Sequence, residues 1–145
     1  MKNRLAQLST YIAENNLDAM YISSYENYRY YSGFTGSNCH LIVTHDKRFI
    51  ITDGRYFSQA KQQAGEYELV EQRRSAKDAI ARVIEDNGIK RIGYETMKLT
   101  DYQVRGLKEA CYGVQWLPCE SFGEFPRMLK DDGEINSIRK AVEIA

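Results

Sequence analysis

The sequence predicts an α/β fold, in which a mixed and largely six-stranded β-sheet carries helices on both faces. Short runs rich in β-branched residues alternate along the chain with apolar stripes of helical period, an order that is typical of α/β domains. Two of those runs, Leu41–Thr44 and Phe49–Thr52, are separated by only four polar residues. A connection that short predicts a hairpin, so the sheet should contain antiparallel as well as parallel strands.

The chain begins with a helix and a buried strand. Apolar side chains recur at helical spacing at Leu5, Leu8 and Ile12, which predicts an amphipathic helix. Residues 17–23 then place apolar groups on both faces of an extended segment. That pattern is typical of a central strand, which is buried on two sides.

A short helix at about residues 24–31 is expected between this strand and the hairpin. Ser23 and Glu26 have the spacing of a capping box, in which each side chain bonds to the backbone N–H of the other residue. Gly33 can adopt the left-handed conformation in which many helices end. We therefore expect the helix to begin after Ser23 and to stop at Gly33.

The hairpin leads directly into a third helix. Asp53 is placed to cap that helix through its side-chain oxygen. Tyr56, Ala60 and Ala64 repeat every fourth residue along it, which predicts one buried face. A strand at about residues 67–71 is expected to follow.

Two helix–strand pairs complete the predicted sheet. Ser75 and Thr100 are each placed to cap a helix, because each has a suitable polar partner three residues later. Strands are expected at residues 91–94 and 114–117, and the second should stop before Pro118, which cannot donate a ladder hydrogen bond.

The last part of the chain follows a different pattern. Residues 121–129 predict a short helical connector, and an amphipathic helix begins at about Asp131. The apolar side of this helix consists of Ile135, Ile138 and Val142. No terminating residue precedes Ala145, which indicates that the chain continues or that the helix packs on something outside it.

Composition indicates an ordinary globular domain without a strong net electrostatic field. The 20 Lys and Arg residues balance the 20 Asp and Glu residues, so neither nucleic acid nor an anionic membrane is an expected partner. Residues 1–16 lack the pattern of a signal peptide, and no apolar run is long enough to span a bilayer. Cys39, Cys111 and Cys119 form an odd set without CxxC spacing, which favours reduced thiols and a cytoplasmic location.

The residues themselves indicate no catalytic centre. His40 and His45 are not in an HExxH arrangement, so no metal site is predicted. Cys39 cannot pair with His40, because adjacent residues do not generally direct their side chains toward each other. The glycines of residues 33–36 lack both the lysine of a phosphate-binding loop and the third glycine of a dinucleotide site.

The loop from Phe34 to His40 is the best candidate for binding. Phe34 can anchor it, and four other side chains can form hydrogen bonds: Thr35, Ser37, Asn38 and His40. Short loops on a rigid scaffold commonly carry binding groups. An ordinary solvated turn remains the alternative interpretation.

Several motifs together resemble the amino-terminal domain of the creatinase, prolidase and aminopeptidase P family. They are Asn27-x-Arg29-Tyr30-x-Ser32-Gly33-Phe34-Thr35-Gly36, then Thr52-Asp53-x-Arg55-Tyr56-x-x-Gln59-Ala60, then Gly93-Tyr94-Glu95 with Leu99-Thr100. The linker and first helix of that family's metallopeptidase domain are similar to Arg127-x-x-Lys130-Asp131-x-x-Glu134-Ile135-x-x-Ile138-x-x-Ala141. The resemblance covers essentially the whole chain.

The resemblance implies one part of a two-domain enzyme that cleaves Xaa-Pro bonds in short proline-containing peptides. Residues 1–126 would form the amino-terminal domain, with a ribonuclease-H-like topology, and residues 127–145 the linker and first helix of a pita-bread catalytic domain. Two divalent metal ions, Mn, Co or Zn, would be held by Asp, His and Glu residues of that second domain. This chain alone would bind no metal and would be inactive.

The resemblance also implies a homodimer, in which the amino-terminal domain lends a gating loop to the partner's active-site entrance. The matching loop is residues 34–40, and Phe34, Asn38 and His40 are its candidate substrate contacts. A second group of matching residues is expected to be architectural: Asn27, Arg29, Tyr30, Gly33, Asp53, Arg55 and Tyr56. Among these, Asp53 would cap a helix, while Arg55 and Tyr56 would clamp helix to sheet or subunit to subunit.

The chain departs from the family pattern at one position, and two other interpretations of its function remain open. Tyr31 stands where an aliphatic residue is common, and the composition of the loop varies among members, so its specificity cannot be transferred. The same architecture could belong to a creatinase-like amidinohydrolase. The chain could also be a free-standing α/β binding module.

Overall fold

Six strands form one mixed sheet with helices on both faces. The computed structural model describes residues 2–145, and of Lys2 only the backbone. The strands are β1 Ala19–Ile22, β2 His40–Thr44, β3 Arg48–Thr52, β4 Glu68–Glu71, β5 Arg91–Glu95 and β6 Gln115–Cys119. The helices are α1 Lys2–Glu14, α2 Tyr25–Ser32, α3 Phe57–Gln63, α4 Ala76–Asp86, α5 Asp101–Ala110, α6 Glu124–Met128 and α7 Asp132–Ile144.

The strand order is β4-β3-β2-β1-β5-β6, which confirms the predicted mixed sheet. β2 runs antiparallel to both β1 and β3, whereas the β3–β4, β1–β5 and β5–β6 pairs are parallel. β2 is therefore the one reversed strand, and its first residue lies at the edge where the other five strands end. β1 is central and all four of its residues are buried, as the sequence predicts.

Each face of the sheet has its own apolar core. On one face, α1, α2 and α3 cover strand residues such as Met20 and Leu41. On the other face, α4 and α5 cover strand residues such as Tyr21, Ile42 and Ile92. Because a fully buried Leu or Ile stabilises the fold by roughly 1.5–3 kcal/mol, these two layers supply most of the driving force for folding.

The helix starts at Ser75 and Thr100 are confirmed. The Ser75 hydroxyl accepts a hydrogen bond from the backbone N–H of Asp78. Thr100 and Gln103 form a complete capping box, in which each side chain bonds to the other's backbone. Both signals are local, so the rest of the fold has little opportunity to override them.

The predicted capping box of Ser23 and Glu26 is wrong. Ser24 is the N-cap of α2, and its hydroxyl accepts from the backbone N–H of Asn27. Ser23 instead donates its backbone N–H to the Glu95 carboxylate at 2.8 Å. The predicted end of the helix is confirmed, since Gly33 adopts a left-handed conformation with φ of 77°.

The predicted end of the last strand is also wrong, because β6 continues through Pro118 to Cys119. Pro118 lies opposite Tyr94 in the ladder with β5. β6 is an edge strand, so a residue without an N–H can be accommodated if that position faces away from the neighbouring strand.

The end of the chain is attached to the domain more loosely. α6 and α7 occupy the predicted connector and helix, and the predicted domain boundary after residue 126 falls within α6. α7 contributes no buried residue.

Of the helices between residues 2 and 145, none is long and apolar enough to cross a membrane.

A buried carboxylate joins β5 to the junction of β1 and α2. Glu95 is 3% exposed, and its Oε2 accepts from the backbone N–H groups of Ser23 and Ser24 at 2.8 and 3.0 Å. Its Oε1 accepts from the Ser24 hydroxyl and the Asn27 amide, each at 2.6 Å. The Asn27 amide also donates to the Phe122 carbonyl at 3.2 Å, which extends the cluster to the loop after β6.

Replacing Glu95 with Ala should lower the free energy of unfolding by about 3–5 kcal/mol, because several buried donors lose their charged acceptor together. Glu95→Gln should lower it less, by about 1–3 kcal/mol, since the amide keeps one acceptor oxygen. Urea unfolding followed by circular dichroism measures both. Glu109→Ala, at an exposed position of α5, is the matched control, and an equal loss in that variant would contradict a specific role for Glu95.

Candidate functional site

The loop between α2 and β2 is anchored by a fully buried ring. Phe34 has no exposed surface, and it packs against Tyr28 and edge-on against Tyr56, with ring centroids 6.3 and 5.8 Å apart. A side chain at Gly36 would collide with the Phe34 ring, so the loop backbone can close over the ring only with glycine there. In this conformation Phe34 fixes the loop and cannot contact a bound molecule.

The exposed side chains of this loop are Thr35 and Ser37. The Thr35 hydroxyl accepts from the Gln59 and Gln63 amides of α3 at 2.9 and 3.1 Å. The Ser37 hydroxyl forms a hydrogen bond with the Tyr56 hydroxyl, and that bond holds the pKa of Tyr56 below its ordinary value. The outer side of the loop is therefore fixed to α3 and the turn before it.

Asn38 connects the loop to the ends of two strands. Its amide donates to the Asp53 carboxylate at 2.6 Å and to the Gln72 side-chain oxygen at 3.2 Å. Asp53 also accepts from the Arg55 guanidinium at 2.8 Å. Hydrogen bonds from Arg55 and then from Asn38 hold the pKa of Asp53 well below its ordinary range, so this carboxylate is ionised at neutral pH.

His40 lies on the opposite face of the sheet from Phe34. It pairs in register with Ile51, which belongs to the core under α4 and α5. Its Nδ1 lies 2.7 Å from the Tyr21 hydroxyl, and the two rings are stacked with centroids 5.9 Å apart. Both residues line a cavity of about 270 Å³ between α4 and α5.

Burial determines the protonation of this pair. It lowers the pKa of His40 to about 4 and raises the pKa of Tyr21 above its ordinary value. At neutral pH Tyr21 therefore keeps its proton and the imidazole is neutral, so either group can be the donor in the hydrogen bond between them.

The structure does not bring the three predicted contacts Phe34, Asn38 and His40 to one surface. Phe34 is buried under one face of the sheet, and Asn38 holds the ends of two strands together. His40 faces the helices on the other side of the sheet. The sequence favours those three residues over Thr35 and Ser37 as substrate contacts, although Thr35 and Ser37 are the exposed positions of the loop. No signal in the sequence separates them, because their exposure follows from the packing of Gly36 against the Phe34 ring, which only the structure shows.

The residues predicted to be architectural have these positions. Asn27 is buried beside Glu95, and Asp53 caps the 3-10 turn Gly54–Tyr56, which leads into α3. Arg29 is exposed and donates to the Tyr25 hydroxyl at 3.1 Å. The Arg55 side chain is also exposed and lies over the Tyr56 ring, 5.3 Å from its centroid.

The polar clusters described between residues 2 and 145 are held together by hydrogen bonds and ion pairs. No group of three or more His, Cys, Asp or Glu side chains there is arranged to hold a metal ion. Cys39, Cys111 and Cys119 are buried free thiols, and burial raises the pKa of Cys39 and Cys111. Neither Cys39 nor Cys111 therefore has the lowered pKa of a reactive nucleophile.

The family model for the creatinase/prolidase N-terminal domain matches residues 4–128. The chain belongs to this family. The match contains the loop, the Asp53 turn and the Glu95 cluster, so all three lie within the shared domain.

Similar proteins extend well beyond this domain. The uncharacterized peptidase YqhT of Bacillus subtilis is 32% identical over 142 residues, which cover 98% of this chain and 40% of that protein. An Xaa-Pro dipeptidase structure from Bacillus anthracis has a TM-score of 0.88 and 28% identity, and the match covers 93% of this chain and 38% of that one. The chain thus spans about two-fifths of the length of such relatives.

One solved structure has nearly the same extent as this chain. It is the N-terminal domain of the cytoplasmic peptidase PepQ from Mycobacterium tuberculosis, with a TM-score of 0.75 and 32% identity. The match covers 82% of this chain and 94% of that one. The creatinase/prolidase N-terminal domain described here therefore corresponds to the amino-terminal part of proteins named as Xaa-Pro peptidases.

The imidazole of His40 should titrate near pH 4, because burial disfavours its charged form. The unfolded chain takes up this proton nearer pH 6.5, so the contribution of His40 to stability is complete above pH 6.5 and is lost as the pH falls toward 4. NMR of the ring protons measures the midpoint, and His45→Gln leaves His40 as the one remaining histidine. A midpoint near 6.5 would show that the ring is not held as described.

Proposed function

We propose that this domain is the non-catalytic amino-terminal part of an Xaa-Pro dipeptidase or aminopeptidase P-like metallopeptidase, and that it serves substrate gating and oligomerisation. The observation that carries the proposal is the extent of the similarity, because the chain matches the amino-terminal two-fifths of relatives named as peptidases. The substrates of the whole enzyme would be short peptides that contain proline.

The reaction itself is assigned to the domain that follows in the relatives. That domain would hold two divalent metal ions, Mn, Co or Zn, whose chemistry is to activate a water molecule and polarise the peptide carbonyl. The residues described here do not fit such a pair of ions, since they form no cluster of metal ligands. The contribution of this chain would be to position and restrict the substrate, in a protein that we place in the cytoplasm.

Apolar side chains near the end of the chain support contact with the catalytic domain. Six large ones are at least half exposed, at 51–87%: Phe125, Met128, Leu129, Ile138, Val142 and Ile144. Such a concentration on α6 and α7 is unusual for a free surface and common at an interface. We assign this surface to the protein's own carboxy-terminal domain.

Gating is assigned to the loop of residues 34–40, acting in a homodimer at the partner's active-site entrance. The ring of Phe34 and the hydrogen bonds of Asn38 hold the loop in one conformation, and the hydrogen bond between His40 and Tyr21 holds its last residue on the opposite face of the sheet. Thr35 and Ser37 are then the groups that a substrate would meet. A loop fixed at so many points can exclude large substrates without a large entropic cost.

The purified chain should not hydrolyse Xaa-Pro dipeptides or tripeptides, with or without added Mn²⁺ or Co²⁺, because the metal ligands are assigned to the following domain. Release of the free amino-terminal residue, measured by chromatography, tests this for both kinds of peptide, with the full-length enzyme as the positive control. Turnover by the chain alone that co-purifies with it through a second column would overturn the proposal.

Ser37→Trp in the full-length enzyme should raise KM for tripeptides by about tenfold or more relative to dipeptides, because a bulky group at an exposed position narrows the entrance. The unfolding temperature should remain unchanged, since Ser37 is a surface residue. Glu109→Trp, on α5, adds the same bulk away from the loop and should not alter the ratio. Equal KM ratios in both variants would remove the loop from substrate selection.

A further inference from the structure

Arg4, on α1, joins three elements that are distant in sequence. Its guanidinium contacts Asp131 and Glu134 at 2.7 and 2.9 Å, and it donates to the Tyr30 carbonyl at 3.1 Å. The same group lies over the Tyr30 ring, 4.0 Å from the centroid. With a side chain only 17% exposed, Arg4 is held in one position by four separate contacts.

The two carboxylates that Arg4 contacts, those of Asp131 and Glu134, also form the N-terminal capping box of α7. The Asp131 carboxylate accepts from the backbone N–H of Glu134, and the Glu134 carboxylate accepts from the backbone N–H of Asp131. These bonds use the same carboxylates whose other oxygens face Arg4. The first turn of α7 and its attachment to α1 therefore depend on the same two carboxylates.

Little else fixes the direction of α7. Among the described residues, Arg4 is the one side chain of residues 2–126 that forms a hydrogen bond or ion pair with residues 131–145. α7 has no buried residue, and an open groove of about 650 Å³, lined by Tyr30 and Ile138 among others, separates it from α2. Apolar packing does not hold the helix in place.

We propose that Arg4 is a positioning residue that sets the direction of α7 relative to the sheet. If the proposed function holds, so that the catalytic domain follows α7, Arg4 also sets where that domain stands relative to the loop of residues 34–40. Lysine cannot replace it, because one ammonium group cannot contact two carboxylates and a carbonyl while also stacking flat on a ring.

Residual dipolar couplings of the chain test the first part. In the native chain, couplings of α7 and of the sheet should fit one alignment tensor. In Arg4→Met they should no longer do so, Arg4→Lys should not restore the fit, and the couplings of the sheet should be unchanged. Arg48→Met, which removes an arginine that pairs with the single carboxylate of Glu66, is the matched control and should keep the common fit.

A second variant removes the partners instead of the arginine. Asp131→Asn with Glu134→Gln retains side chains that can cap α7 but removes both negative charges. This variant should loosen α7 while leaving residues 2–126 untouched, which keeps the test valid if Arg4→Met fails to fold. A common alignment tensor for α7 and the sheet in either variant would overturn the proposal.

Kinetics of the full-length enzyme test the part that rests on the proposed function. Arg4→Met should lower kcat/KM for tripeptides by roughly tenfold or more, since a misplacement of about 1 Å can cost about 100-fold. Unchanged kcat/KM, in an enzyme that does cleave Xaa-Pro bonds, would overturn the link to the catalytic domain. Absence of Xaa-Pro cleavage by the native enzyme would instead overturn the proposed function and leave the couplings of α7 as the test of Arg4.

Discussion

The carboxylate of Glu95 is the constraint on which the rest of the domain depends. It accepts hydrogen bonds from Ser23, Ser24 and Asn27, so it determines where β1 ends and α2 begins. α2 carries Tyr28, whose hydroxyl holds the loop backbone at Gly36 by a bond of 2.7 Å. The buried carboxylate of Glu95, on the strand next to β1, thus fixes α2, and α2 in turn fixes the position of the exposed loop. A buried carboxylate with several fixed donors specifies one arrangement more strictly than apolar packing does.

Strand direction explains why the loop lies where it does. β2 is reversed relative to the five other strands, so the segment that enters it reaches the edge where the others end. In open α/β sheets that edge is where ligands commonly bind. Two polar clusters form there, one around Asn38 and Asp53 and one around Tyr21 and His40. Reversal of a single strand therefore brings the polar groups of this loop to the edge where the other five strands end.

The local capping pattern at Thr100 predicts its helix start correctly, whereas the equally local pattern at Ser23 is overridden by the tertiary structure. Ser24 is the N-cap instead, and the backbone N–H of Ser23 donates to Glu95, which lies 72 residues away. Pro118 could be placed only with the sheet order known, because an edge strand can accommodate a residue without an N–H. In the candidate site, residue types identified the loop from the sequence. The register of His40 with Ile51, which sends it to the opposite face, is not encoded nearby.

The topology of the sheet also implies an order of assembly. β1, β2 and β3 are consecutive and antiparallel, and β2 and β3 meet across a turn of three residues, so the pairing of β2 with β3 needs only a short loop to close. β5 joins β1 across a much longer stretch of chain, and contacts of that range form more slowly because loop closure must precede them. Glu95 is the last residue of β5, so it reaches its position only when β5 pairs with β1. We therefore expect the N-terminal meander to form before the carboxylate that fixes its connection to α2, so that α2 and its loop reach their final positions late in folding.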